Sequence, residues 1–107
     1  MDANAASQGT VDADIHEAVV EVRNPEGVHM SAALHFVEMA ETFSCDITVR
    51  SGGKTADGKS IVQMCILAAP CGSKLKITAE GPDAREAVFT LRDLVENKAF
   101  HRTDKDS

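Results

Sequence analysis

Apolar and polar positions alternate from Glu17 to Arg23. Ala18, Val20 and Val22 fall on one side, Glu17, Glu21 and Arg23 on the other. A period of two predicts a strand with one buried face, although Val19 blurs it. Asn24-Pro25-Glu26-Gly27 is turn chemistry. From Ser31 to Phe43 the spacing changes. Ala33, Phe36, Val37, Ala40 and Phe43 share one stripe, which predicts a helix. Alternation returns from Asp46 to Arg50, with Ile47 and Val49 inward. Ser51-Gly52-Gly53-Lys54 then reads as a hairpin turn, with Lys54 to Asp57 as a short second arm. Ser60 stands just before the apolar run Ile61 to Leu67, an N-cap signal that predicts a short helix. Pro70 and Gly72 make Ala68 to Ser73 a loop. Leu75, Ile77 and Ala79 mark a strand from Lys74 to Glu80. Gly81-Pro82-Asp83 opens the last helix, with Pro82 near its first position. Its buried stripe is Ala84, Ala87, Val88, Leu91, Leu94 and Val95.

The element order is βαββαβα, an α+β arrangement. A single four-stranded antiparallel sheet with three helices on one face satisfies every half-buried element. Residues 1–16 are rich in Ala, Asp, Ser, Gln and Gly without a sustained period, and read as a disordered tail. The domain spans 17–100, and 101–107 form a second tail. The 107 residues suit one domain. No internal repeat is present. With four Phe and neither Trp nor Tyr, the core must be mostly aliphatic.

A net charge of -6 argues against nucleic acid or an anionic membrane as partner. Cys45, Cys65 and Cys71 are odd in number and lack paired spacing, so they read as reduced thiols of a cytoplasmic protein. No C-x-x-C pair supports zinc, and no cofactor motif is visible. No apolar run approaches the roughly eighteen residues of a membrane span. The N-terminus lacks the basic and apolar regions of a secretory signal.

His29 is the residue with chemistry to offer. The turn Asn24 to Gly27 delivers it to the first turn of the first predicted helix. A helix start offers unpaired N–H groups and the positive end of the dipole, both of which favour an anion. An imidazole there is placed to carry a phosphoryl group on a ring nitrogen. Spacing alone allows the plainer role of ending a turn. His16, His35 and His101 read as solvated, and a metal site built from them is not expected.

Three segments in this order resemble the HPr family, the histidine-containing phosphocarriers of the sugar phosphotransferase system. They are Pro25-Glu26-Gly27-Val28-His29 with Ala33, Phe36, Val37 and Ala40; Ile47-Thr48-Val49 through Gly53-Lys54 to Lys59-Ser60-Ile61; and Ile77-Thr78-Ala79-Glu80-Gly81 with Ala87-Val88 and Leu91. The resemblance spans about Glu17 to Lys98. It implies an open-faced β-sandwich with three helices on one face of the sheet. It also implies a phosphoryl acceptor at His29, an Enzyme I-like donor charged by phosphoenolpyruvate, and an EIIA-like or regulatory acceptor. The serine at the position of Ser60 is, in many members, phosphorylated by a dedicated HPr kinase.

One departure stands beside the match. The family pattern His-x-Arg-Pro reads His29-Met30-Ser31-Ala32 here. Ser31 offers a neutral hydrogen bond where the family has a guanidinium. A hydrogen bond to a charged group contributes roughly 1.5–3 kcal/mol. Its loss would change phosphoryl transfer by roughly ten- to a hundredfold. Ser60 is otherwise accounted for as a helix cap. Met30, Leu34, Ile61, Val62 and Cys65 fall outside or at the edge of the core stripes, and are expected to form a docking patch for a protein partner. Two functions follow: a monomeric phosphocarrier working through His29, without independent turnover, or a regulatory module of the same fold that relays no phosphate. No triad, carboxylate pair or nucleotide loop supports an independent enzyme.

Overall fold

The structure, a computed structural model, describes residues 14–23, 27–28, 30–67 and 69–97. The elements follow the predicted order: β1 (Ile15–Glu21), α1 (Met30–Ala40), β2 (Asp46–Ser51), β3 (Lys54–Asp57), α2 (Ile61–Leu67), β4 (Lys74–Glu80) and α3 (Ala84–Asn97). The strands form one sheet in the order β1-β4-β2-β3, every neighbour antiparallel.

Registers of Val20 opposite Leu75, Ala18 opposite Ile77, Ile77 opposite Val49, and Ile47 opposite Ala79 bring the apolar side chains to one face. Val20, Leu75, Ile77, Ala79, Ile47, Val49 and Ala56 are buried there, beneath Phe36, Met64 and Leu91 from the three helices. Full burial of one such Val, Leu, Ile, Phe or Met side chain stabilises the fold by about 1.5–3 kcal/mol. Of the phenylalanines in the described residues, Phe36 is buried, Phe43 lies against the core edge and Phe89 is exposed, so the core is aliphatic as the composition predicts. The opposite sheet face exposes Ile15 and Val19 among polar residues, with Lys76 Nζ 3.4 Å from Glu17 Oε1. That exposed pair contributes little.

β1 and α1 depart from the bounds that the periodicity predicts. β1 runs from Ile15 to Glu21, two residues earlier than predicted at both ends, because its ladder with β4 extends from Ile15 opposite Glu80 to Glu21 opposite Lys74. Val22 stays buried beyond the strand, held by a hydrogen bond to Ser73. α1 ends at Ala40 and not at Phe43. There the bonds tighten to three-residue spacing, Thr42 N–H to Met39 O and Phe43 N–H to Ala40 O, each at 3.1 Å.

Asp83 ties the end of this turn to the start of α3. Its carboxylate accepts the N–H groups of Ser44 at 2.8 Å and Cys45 at 2.9 Å. These bonds favour the charged form, the Ser44 bond most, and hold the carboxyl below its ordinary range. Burial, aided by the Asp83 carboxylate, pushes the neighbouring Cys45 thiol up to about 11. Cys45 is therefore a buried neutral thiol, whereas Cys65 is half-buried and Cys71 exposed; all three are free.

Candidate functional site

The site starts from a loop laced to its neighbour. Val22 N–H donates to Ser73 O at 2.9 Å, Gly72 N–H to Val22 O at 2.8 Å, and Val28 N–H to Ala69 O at 2.7 Å. Gly27 makes the last contact feasible. Its φ is +71°, and a Cβ there would lie 2.5 Å from Ala69 O and 2.8 Å from Pro70 Cα. Only glycine fits both demands. Val28 is then buried, and Met30 opens α1. His29 lies outside the described residues, as do Asn24, Pro25 and Glu26; in sequence it falls between the anchored Val28 and the first residue of α1.

The start of α1 suits a negative group. It is an 11-residue helix with no acidic residue in its first turn. Its first N–H groups have no acceptor within the helix, and the dipole adds positive potential. Ser31 is exposed in this first turn. Where the resemblance places a guanidinium, the chain brings a hydroxyl.

The five expected docking residues divide into two groups. Met30 is 70%, Leu34 46% and Val62 63% exposed. Ile61 and Cys65 are half-buried against the core and form only the edge of a patch. The structure adds Ile66, which sequence reading missed; it is 65% exposed, one turn beyond Val62. Its signal was the position four residues after Val62, away from the buried Met64 and Leu67.

Ser60 caps α2: its Oγ accepts the Gln63 N–H at 3.2 Å. Ser60-x-x-Gln63 has the spacing of a capping box. Here the Gln63 side chain reaches past the cap, and its Oε1 accepts the Asp57 N–H at 2.8 Å. The Ser60 N–H itself donates to Asp57 O at 3.0 Å. At the same end, Lys59 Nζ donates to the Phe43 carbonyl at 2.6 Å, joining the approach to α2 to the turn after α1.

Against this geometry, residues 16–97 match the family model described as the PTS HPr component phosphorylation site. The chain belongs to the HPr family. It is 40% identical over 82 residues to the phosphocarrier protein HPr of Vibrio cholerae, covering 77% of this chain and 96% of that one. With HPr of Haemophilus influenzae the identity is 42% over 76 residues, 71% of this chain and 89% of the other. The crystal structure of HPr from Bacillus anthracis superposes with a TM-score of 0.73 at 36% identity, covering 77% of this chain and 98% of that one. The βαββαβα order and single antiparallel sheet are thus the HPr fold. Among the described residues no three His, Cys, Asp or Glu side chains gather to hold a metal ion, and no helix is long and apolar enough to cross a membrane.

Proposed function

We propose that this HPr protein relays phosphoryl groups through His29. The observation that carries the reading is the glycine-tethered turn: Gly27 and Val28, locked to Ala69, lead directly into a helix start free of acidic side chains. A nitrogen of the neutral imidazole attacks the phosphorus of the charged donor. The N–P bond forms as the donor–phosphorus bond breaks, and the reverse exchange delivers the group to the acceptor. Nothing else is consumed, so the protein is a carrier without turnover of its own. The N–H groups at the start of α1 stabilise the anion while it is held. Ser31 contributes a hydroxyl, so the charge is neutralised less fully within the chain than a guanidinium would manage.

The donor is an Enzyme I-like protein charged by phosphoenolpyruvate, and the acceptor an EIIA-like or regulatory protein, both in the cytoplasm. Met30, Leu34, Val62 and Ile66, with Ile61 and Cys65 at the edge, form the docking patch. Ser60 is the regulatory position. A phosphoryl group on its Oγ would replace the neutral cap and set a dianion beside Val62, where a partner would have to desolvate it. A pulse–chase experiment tests the relay. The protein is labelled by Enzyme I and radiolabelled phosphoenolpyruvate, separated, and mixed with an EIIA protein of the same organism. Label should leave this chain and appear on the acceptor; label that stays would rule out the relay.

A further inference from the structure

Between the β2–β3 turn and the loop after α2 lies an open cavity of about 460 Å³. Ser51, Lys54, Ser73 and Lys74 bring polar side chains to it, and Leu67, Ala69 and Pro70 give it an apolar wall. None of its lining residues is acidic. Lys54 and Lys74 are exposed, and among the described residues neither forms an ion pair. The acid that faces Lys74 in the register is Glu21 of β1, and the two do not pair. The glycine turn leaves room beside them, since a Cβ on Gly52 or Gly53 would meet nothing within 4 Å. More positive charge stands next to the cavity on the open face of the sheet. Arg50 precedes Ser51 and lies directly opposite Lys76. Like charges so placed destabilise a sheet. The Lys76 ammonium is drawn to Glu17 at 3.4 Å, and Arg50 has no ion pair among the described residues.

The chemistry of the lining selects a ligand. An ammonium offers three donors and no acceptor, and each serine hydroxyl adds another donor. Two ammonium groups repel a cation and attract an anion. The volume is that of a small-molecule site, for which roughly 300–1,000 Å³ is usual. The net charge of -6 repels a polyanion or an anionic membrane. At physiological salt, however, charges are screened beyond about 8 Å, so a small anion inside the cavity feels chiefly the nearby lysines. We propose that this cavity binds a small molecule bearing two phosphoryl groups, one for each lysine, with Ser51 and Ser73 as neutral donors. Its wall residues Ala69 and Pro70 are also those against which Gly27 and Val28 are held. A ligand seated there changes the surroundings of the Val28 N–H, which donates to Ala69 O. The proposal does not depend on the carrier reading.

The test titrates the isotope-labelled full chain with pyrophosphate at constant ionic strength and follows the backbone amides by NMR. Saturable shifts are expected at Gly52, Gly53, Ser73, Lys74 and Val28, with little change on α3. Orthophosphate should bind more weakly than pyrophosphate. Lys54→Gln/Lys74→Gln should weaken binding about tenfold, because two charge-assisted contacts are lost at an exposed site. Lys54→Arg/Lys74→Arg keeps the charge and should keep most of the affinity. Arg85→Gln, which removes a cation from α3, should change nothing. Shifts that never saturate, or that spread alike over every lysine and arginine, would overturn the proposal as an effect of screening. Unchanged affinity in Lys54→Gln/Lys74→Gln would overturn it too. Vesicles of phosphatidylglycerol and phosphatidylcholine that bind through Lys54 and Lys74, where pyrophosphate does not, would assign these cations to a membrane surface and also overturn it. None of these readouts uses phosphoryl transfer, so the carrier reading is left untouched by any of them.

Discussion

Replacing Gly27 by alanine perturbs the site without touching any reactive group. Two costs add. An alanine held at φ +71° is in the left-handed region, at about 1–2 kcal/mol. The new Cβ would also lie 2.5 Å from Ala69 O, about 0.9 Å inside ordinary van der Waals contact, and the obstacle is backbone. Relief requires the 27–28 segment to part from Ala69, which breaks the Val28 N–H bond of 2.7 Å and leaves a buried donor unpaired. That contributes about 1–3 kcal/mol more. The total is about 2–5 kcal/mol, a fall in Tm of at least about 10 °C for a domain of this size. Gly52→Ala is the control. Its φ is +61° but nothing lies within 4 Å of the added Cβ, so only the conformational cost of about 1–2 kcal/mol applies. Urea titration of both variants isolates the contact, and rates of phosphoryl acceptance show whether the tether matters for the site. Gly27→Ala should lose more stability and accept phosphate more slowly, whereas Gly52→Ala should keep its rate. Equal losses in the two variants would refute the claim that the Ala69–Pro70 loop fixes this turn.

Three further outcomes are expected. Ser60→Ala removes the acceptor for the Gln63 N–H and should cost about 1 kcal/mol by thermal melt while leaving partner affinity nearly unchanged. Ser60→Asp should keep the cap and weaken binding, and equal affinity would make Ser60 a cap only. Asp83 has a folded pKa below its unfolded value, so its contribution is fully present above the ordinary carboxyl range and is lost as pH falls through the folded value; melts from pH 7 down to pH 2 should show Asp83→Asn less stable than wild type at neutrality and flatter on the acid side. Ser31→Arg should speed phosphorylation by roughly tenfold by restoring a guanidinium beside the acceptor, and an unchanged rate would mean the partner already supplies that cation.

Elements that bury one face write a period into the chain, which is why the three helices and four strands were legible. The stripe Ala84, Ala87, Val88, Leu91, Leu94 and Val95 is buried as read. Ends were less legible because pairing and local bond geometry set them. Nothing in residues 17–23 reveals that Ile15 faces Glu80 across the sheet. The patch was visible in Met30, Leu34 and Val62, which do not fit the core stripes. Ile61 and Cys65, read at the edge of the stripes, are half-buried against the core, a distinction composition does not show because a half-buried helix edge has the same residues as an exposed one. The tether between Gly27 and Ala69 joins distant parts of the chain, and a glycine in sequence does not say which backbone it approaches. Ser60 was legible as an N-cap, but the reach of Gln63 to Asp57 depends on the turn between them.

His29 as the holder of the phosphoryl group is the point on which the relay stands or falls. It is tested by incubating wild type and His29→Ala with Enzyme I of the same organism and radiolabelled phosphoenolpyruvate, then treating the products with acid and with base. About one label per wild-type chain is expected, stable in base and lost in acid as a phosphohistidine would be, and none on His29→Ala, with His16→Ala, His35→Ala and His101→Ala labelled like wild type. Label that survives acid, or that persists on His29→Ala, would contradict it.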